Sequence, residues 1–274
     1  MNLLQALLLG IVQGATEFLP ISSSGHLVLV PWVFGWRFDP KSAFVFDVLV
    51  QWGTIVAVIG YFRRDLYALI VSAWTGLRQR TPFAEPQSRL AWLLLVATLP
   101  AALLGLLLKS AVESSFAQPV AVAAFLLVTA GLLALAEFVQ RPTKPLLRLT
   151  WIDALWIGLA QSLALFPGVS RSGATIAGGL FRGLEREQAA RFSFLLSVPT
   201  MLGAGGVAIL DLLRTSNPAE QAGPLFVGFV AAIITGWFAI HWLLHFLQRR
   251  RLYIFSAYCV LVAIGGFVLH VLRP

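Results

Sequence analysis

The chain has 274 residues, of which 58% are hydrophobic and 12% charged, with a net charge of +8. This is the balance of an integral membrane protein rather than a soluble one, and its apolar runs are long enough to span. The positive residues sit in short loops between those runs, so they signal topology rather than a nucleic-acid partner, and a single cysteine, Cys259, excludes an intrachain disulfide.

In chain order, the first 21 residues lack a basic start and carry Glu17 inside their apolar stretch, which argues against a cleaved signal peptide. Residues 3–35 read as a helix hairpin: Pro20 stops the first helix, and Ser22-Ser23-Ser24-Gly25 reads as a break plus the N-cap of the second, with Ser24 the expected cap. A polar turn, Trp36–Lys41, precedes a span at 43–62 that ends at Arg63-Arg64. A basic loop with Pro82 and Pro86 follows, part of which (65–77) suits an interfacial helix. Spans at 90–108 and 119–139 and the loop Arg141–Arg148 complete the first half.

A second hairpin, 151–182, is broken at Pro167-Gly168. After the charged connector 182–187 come spans at 190–211, 222–245 and 252–272. The expected fold is therefore all-α and polytopic, with six transmembrane helices plus two re-entrant hairpins. It forms one membrane domain of two repeats, 1–149 and 150–274. An odd number of crossings per repeat inverts the second relative to the first, and paired interrupted segments in two halves point to a binding site between them.

The basic residues agree with hairpins that do not cross. One side then holds fourteen: Arg63, Arg64, Arg78, Arg80, Arg89, Arg141, Lys144, Arg148, Arg182, Arg186, Arg191 and Arg249–Arg251. The other holds five: Arg37, Lys41, Lys109, Arg214 and Arg273. The positive-inside rule places the richer side in the cytoplasm and both termini outside it.

The two breaks concentrate the chemistry. Glu17 follows Gln13 by four residues, so both project from one helix face. A carboxylate at that depth reads as a metal ligand or general base, or as a polar bridge between helices. His26 beside the serines suits a base next to its nucleophile, with Ser23 the better nucleophile candidate; the plain alternative is a packing histidine. Arg171 sits in Pro-Gly-Val-Ser-Arg-Ser-Gly-Ala-Thr, where its planar fork and the following helix start suit phosphate oxygens. Its alternative is a salt bridge to Glu17 or Asp47. Asp47, with Gln51 one turn on, reads as support behind the site or as a helix-joining pair. His241 and His245, spaced for chelation, read better as interfacial anchors.

The runs Gly-Ile-Val-Gln-Gly-Ala-Thr-Glu-Phe-Leu-Pro-Ile-Ser-Ser-Ser-Gly-His (10–26) and Phe-Pro-Gly-Val-Ser-Arg-Ser-Gly-Ala-Thr-Ile (166–176) closely resemble the bacterial undecaprenyl-diphosphate phosphatases, or bacitracin-resistance proteins. The resemblance covers the whole chain. It implies an inner-membrane enzyme that removes the terminal phosphate of a C55 polyprenyl diphosphate, recycles the lipid carrier for peptidoglycan and confers bacitracin resistance, often as a homodimer. It implies catalytic roles for Glu17, Ser23, His26 and Arg171. It also implies substrate contacts from Gln13, Ser22, Ser24, Gly25, Ser170, Ser172, Gly173 and Thr175, and a Mg²⁺ or Ca²⁺ ion carried by Glu17. Some members have Glu where this chain has Gln13, a departure that counts against a two-carboxylate metal site. In the mechanism expected from these residues, Ser23 attacks phosphorus and His26 takes its proton; His26 attack, or water activated by Glu17 and His26, are the alternatives.

Two other readings compete with this one. The acid-phosphatase-like lipid phosphatases need a histidine six residues after the arginine, and position 177 is Ala. A carrier moving undecaprenyl phosphate between leaflets would use the same broken helices and the same arginine.

Overall fold

A computed structural model describes residues 1–116, 118–215 and 222–272; the side chains of 109, 113, 114, 116 and 207–215 lie outside the described set, as does Arg273 of the charge tally. Every regular element among the described residues is helical. The first hairpin is α1 (Leu3–Phe18) and α2 (Ser23–Phe34), followed by α3 (Pro40–Tyr61), α4 (Arg63–Arg78), α5 (Pro86–Leu107), α6 (Lys109–Phe116) and α7 (Pro119–Val139). The second half runs α8 (Trp151–Ser162), a 3₁₀ turn at Leu163–Leu165, α9 (Arg171–Phe181), α10 (Arg186–Thr215), α11 (Ala222–Leu247) and α12 (Tyr253–Leu272). Five of these, α3, α5, α7, α11 and α12, are long and apolar enough to cross a membrane. The expected span at 190–211 falls within the 30 residues of α10, which is not among those five.

Local sequence sets the ends of these helices. Asp39, with Pro40 next, starts α3, and Pro86 and Pro119 open α5 and α7, where a missing N–H costs nothing. Both hairpins open on a capping box, Asn2 with Gln5 and Thr150 with Asp153. Both second limbs open on a serine: Ser22 Oγ accepts from the Gly25 N–H at 3.2 Å, and Ser170 Oγ from the Gly173 N–H at 3.0 Å. The first cap is thus Ser22, two residues earlier than expected. The turn reaches its helical register there because Ser22 takes φ +70°, a geometry that three consecutive serines do not reveal. In α4, Tyr67, Ile70, Trp74 and Leu77 form an exposed apolar stripe, the pattern of a helix lying at an interface.

Packing is reciprocal between the halves. α1 packs on α11 while α8 packs on α5, α3 contacts α11 while α10 contacts α5, and α7 pairs with α12. Phe18, at the end of α1, is fully buried edge-on to Phe194 of α10, with ring centroids 5.4 Å apart, and Phe62 completes that cluster. Two buried carboxylates, Glu137 of the first half and Asp153 of the second, tie the two halves together. Asp153 takes Lys144 at 2.7 Å and Arg182 at 2.5 Å; Glu137 takes Arg186, the Gln140 amide at 2.7 Å and the Leu252 N–H at 3.1 Å. At Asp153, burial pushes the carboxyl up. The Lys144 ammonium, the Thr150 N–H and the Arg182 guanidinium push it further down and hold it at about 2. These locks join residues up to 115 positions apart, so no local pattern announces them.

Candidate active site

The two broken tips meet. Gly168, between Pro167 and Val169, has φ +103°, and a Cβ there would lie 2.3 Å from the Val122 carbonyl oxygen. Only glycine lets the second tip tuck against α7. Thr129 of α7 then fixes it, donating to Gly168 O and accepting from the Ser170 N–H, both at 2.9 Å. Gly25 of the first tip faces Gly168 so closely that a Cβ would sit 3.2 Å from its Cα. Ser172 Oγ donates to Leu19 O at 2.9 Å and seals the junction.

The first residue of each second limb lies over the same space: Ser23 follows the cap Ser22, and Arg171 follows the cap Ser170. Both line a cavity of about 380 Å³ together with Gln13, Glu17, Ser22, Ser24, Asp47, Gln51, Ser170, Thr200 and Met201. Glu17 is its hub. Its Oε1 accepts from Arg171 Nη2 at 2.7 Å, and its Oε2 accepts from Ser23 Oγ at 2.5 Å and from Gln13 Nε2 at 3.0 Å. The Glu17 and Arg171 side chains are only 9% and 13% exposed. A charge pair so withdrawn from water is poorly solvated unless matched, and each ion here supplies the match for the other. Arg171 also reaches Ser193 O and Met201 Sδ, both at 3.4 Å. Five N–H donors exceed what these acceptors consume, and the residue faces the cavity.

Several expected contacts are placed elsewhere. His26 does not join Ser23: its Nδ1 lies 2.7 Å from Ser22 O and its Nε2 2.8 Å from the Tyr258 hydroxyl. Gly25, Ser172, Gly173 and Thr175 are buried between helices and do not line the cavity. Thr175 instead bonds Arg171 O at 2.8 Å and Ser193 Oγ at 2.6 Å, holding α9 to α10. Asp47 and Gln51 move the other way, into the cavity wall. The salt bridge to Glu17, the alternative reading of Arg171, is present, and it lies inside the cavity rather than apart from it. Cys259 is buried, in keeping with packing. His241 Nδ1 lies 3.2 Å from the Tyr61 hydroxyl, away from these residues. Thr200, Met201, Thr129 and Tyr258 were not anticipated. They come from distant helices, and a hydroxyl or thioether in an apolar run carries no signal until those helices pack.

The cavity donors are carboxylate, amide and hydroxyl oxygens, the hard set that suits Mg²⁺ or Ca²⁺. Among the described residues, no group of three or more His, Cys, Asp or Glu gathers into a cage. An ion here would therefore draw its remaining ligands from water and substrate.

Residues 6–265 match the family model described as bacitracin resistance protein BacA. A Myxococcus xanthus (strain DK1622) protein named undecaprenyl-diphosphatase is 44% identical over 274 residues, covering 100% of this chain and 90% of its own. A Geobacter sulfurreducens protein of the same name is 45% identical over 270 residues, 98% of each chain, and one from Thermomicrobium roseum is 44% identical over 265 residues, 94% of each. With a match across nearly its whole length, and with the acid, hydroxyl and guanidinium of its two motifs gathered at one cavity, the chain belongs to the BacA family of bacitracin resistance proteins.

Proposed function

We propose that this chain is an undecaprenyl-diphosphate phosphatase, cleaving the terminal phosphate from a C55 polyprenyl diphosphate and returning the monophosphate carrier to peptidoglycan synthesis. The observation that carries this reading is Glu17, which bonds Ser23 of one tip and Arg171 of the other inside one cavity. Phosphoryl transfer is chiefly a matter of positioning and charge stabilisation, and these residues supply both. Ser23 Oγ attacks the terminal phosphorus as Glu17 takes its proton. The anhydride P–O bond breaks, polyprenyl phosphate leaves, and water then releases phosphate from the serine. The 2.5 Å contact supports Glu17 as base over His26, whose ring nitrogens are engaged elsewhere.

Arg171 and the N–H groups at the starts of α2 and α9 hold the phosphate charge, with Gln13, Ser22, Ser24 and Ser170 around it. A divalent ion, held by Glu17 with Asp47 beside it in the wall, would neutralise diphosphate charge when bound.

The hairpin limbs have 16, 12, 12 and 11 residues, about 16–24 Å of helix against a core of roughly 30 Å. That shortfall supports two re-entrant hairpins, with α10 as the sixth span. The reciprocal packing supports an inverted repeat of 1–149 and 150–274. With the charge tally, this reading puts both termini and the cavity mouth on the outer side of the inner membrane.

The test is phosphate release from polyprenyl diphosphate by the purified chain, with and without chelator. Release that stops with chelator and returns with Mg²⁺ or Ca²⁺ is expected. No release under any condition would overturn the assignment.

A further inference from the structure

His26 stands beside the cavity rather than in its wall, and both of its ring nitrogens are spent. A carbonyl oxygen only accepts, so the 2.7 Å contact to Ser22 O puts a proton on Nδ1. Nε2 of the neutral ring then accepts from the Tyr258 hydroxyl at 2.8 Å. Tyr258 belongs to α12 and stacks on the imidazole, with centroids 5.7 Å apart and planes 11° from parallel. Its neighbour Cys259 has Sγ 3.9 Å from Pro20 O, so two consecutive residues of the last helix press on the first tip.

The carbonyl that His26 holds belongs to a residue in need of holding. Ser22 has φ +70° and ψ 96°, and among the described residues Ser22 and Arg80 are the non-glycine residues with positive φ. Such geometry persists only where the surroundings over-determine it. Ser22 O also accepts the His26 backbone N–H at 3.2 Å, and its Oγ caps Gly25. The next residue is Ser23, aimed at Glu17.

The geometry points to a His26–Tyr258 brace that locks the Ser22 turn and thereby aims Ser23. Tyr258 is a positioning residue for the reaction, and His26 acts through Ser22 rather than as its base. This rests on the phosphatase reading and deepens it.

Asparagine and glutamine at position 26 separate brace from base. The amide nitrogen of Asn superposes on Nδ1 and keeps the bond to Ser22 O; that of Gln superposes on Nε2 and loses it. Neither is a base. H26N is expected to keep kcat within about threefold of wild type, while H26Q and H26A fall about tenfold or more at similar KM. Y258F should lower kcat about threefold or more in the wild-type background and add nothing in H26N. A loss of about 10²–10⁴ in H26N, as for removal of a general base, would overturn the proposal, as would wild-type turnover by H26Q.

A second readout needs no turnover: ¹⁵N-histidine labelling of the full chain. Protonated Nδ1 with an accepting Nε2 is expected for His26, with the Nε2 signal alone shifting in Y258F. An Nε2–H or doubly protonated ring would sink the brace even in an active enzyme. A wild-type chain that releases no phosphate would instead sink the phosphatase reading and leave this measurement standing.

Discussion

The Glu17–Arg171 pair yields the sharpest prediction, because it links stability to chemistry with opposite outcomes for single and double variants. At an effective dielectric near 20, unit charges about 4 Å apart attract by about 4 kcal/mol, most of it offset by the cost of taking both out of water. The net worth of the pair is therefore small, but stranding one charge is costly. Glu17→Gln leaves Arg171 at 13% exposure without its 2.7 Å partner, and Arg171→Gln does the same to Glu17 at 9%. Each single variant should lose about 3–5 kcal/mol. Glu17→Gln/Arg171→Gln strands neither charge and should lose far less than the sum, a coupling of at least about 2 kcal/mol. The assay is a thermal-stability series on the four purified proteins beside phosphate release. Stability should recover in the double variant while activity stays below that of either single, since the proposed base and the proposed phosphate clamp are then both gone. Additive stability losses would refute the pairing, and a double variant with wild-type turnover would refute the site.

Other consequences can be checked separately. Gly168→Ala must place a Cβ 2.3 Å from Val122 O at φ +103°, so folded yield or activity should collapse, measured by size-exclusion profile and turnover. Asp153 titrates at about 2 in the folded chain against 3.8 ordinarily, so its contribution is complete above about pH 4 and is lost as pH falls through about 2. A melting series from pH 5 to pH 2 should show that acid sensitivity in the wild type, and Asp153→Asn should flatten it. Asp47→Asn, in the cavity wall, should raise the Mg²⁺ or Ca²⁺ concentration for half-maximal phosphate release without loss of thermal stability; an unchanged metal dependence would remove Asp47 from the ion's surroundings.

Much of this architecture was legible from the order of residues. Proline and glycine at Pro20 and Pro167-Gly168 marked both breaks, and the apolar runs located the long helices to within a few residues. What escaped depends on torsion angles or on distance along the chain. Three adjacent serines are equivalent cap candidates until the backbone turns through Ser22 at φ +70°. His26 was paired with Ser23 because they are neighbours, yet on a helix its ring reaches back to Ser22 O, and Tyr258 is 232 residues away. The family resemblance implies substrate contacts from Thr175 and Ser172, but their hydroxyls are consumed in joining α9 to α10 and to Leu19. Asp47 and Gln51, assigned behind the site, face the cavity because α3 presents that side to it.

In the proposed reaction a hydroxyl from one tip does chemistry that the acid and guanidinium beside it make possible. It is tested most directly by quenching the enzyme during turnover of polyprenyl diphosphate and mapping the phosphorylated residue, with Ser23→Ala alongside. A phosphoryl group on Ser23, together with a loss of at least about 100-fold in phosphate release by the folded Ser23→Ala protein, is the predicted result. Wild-type turnover by Ser23→Ala would contradict it.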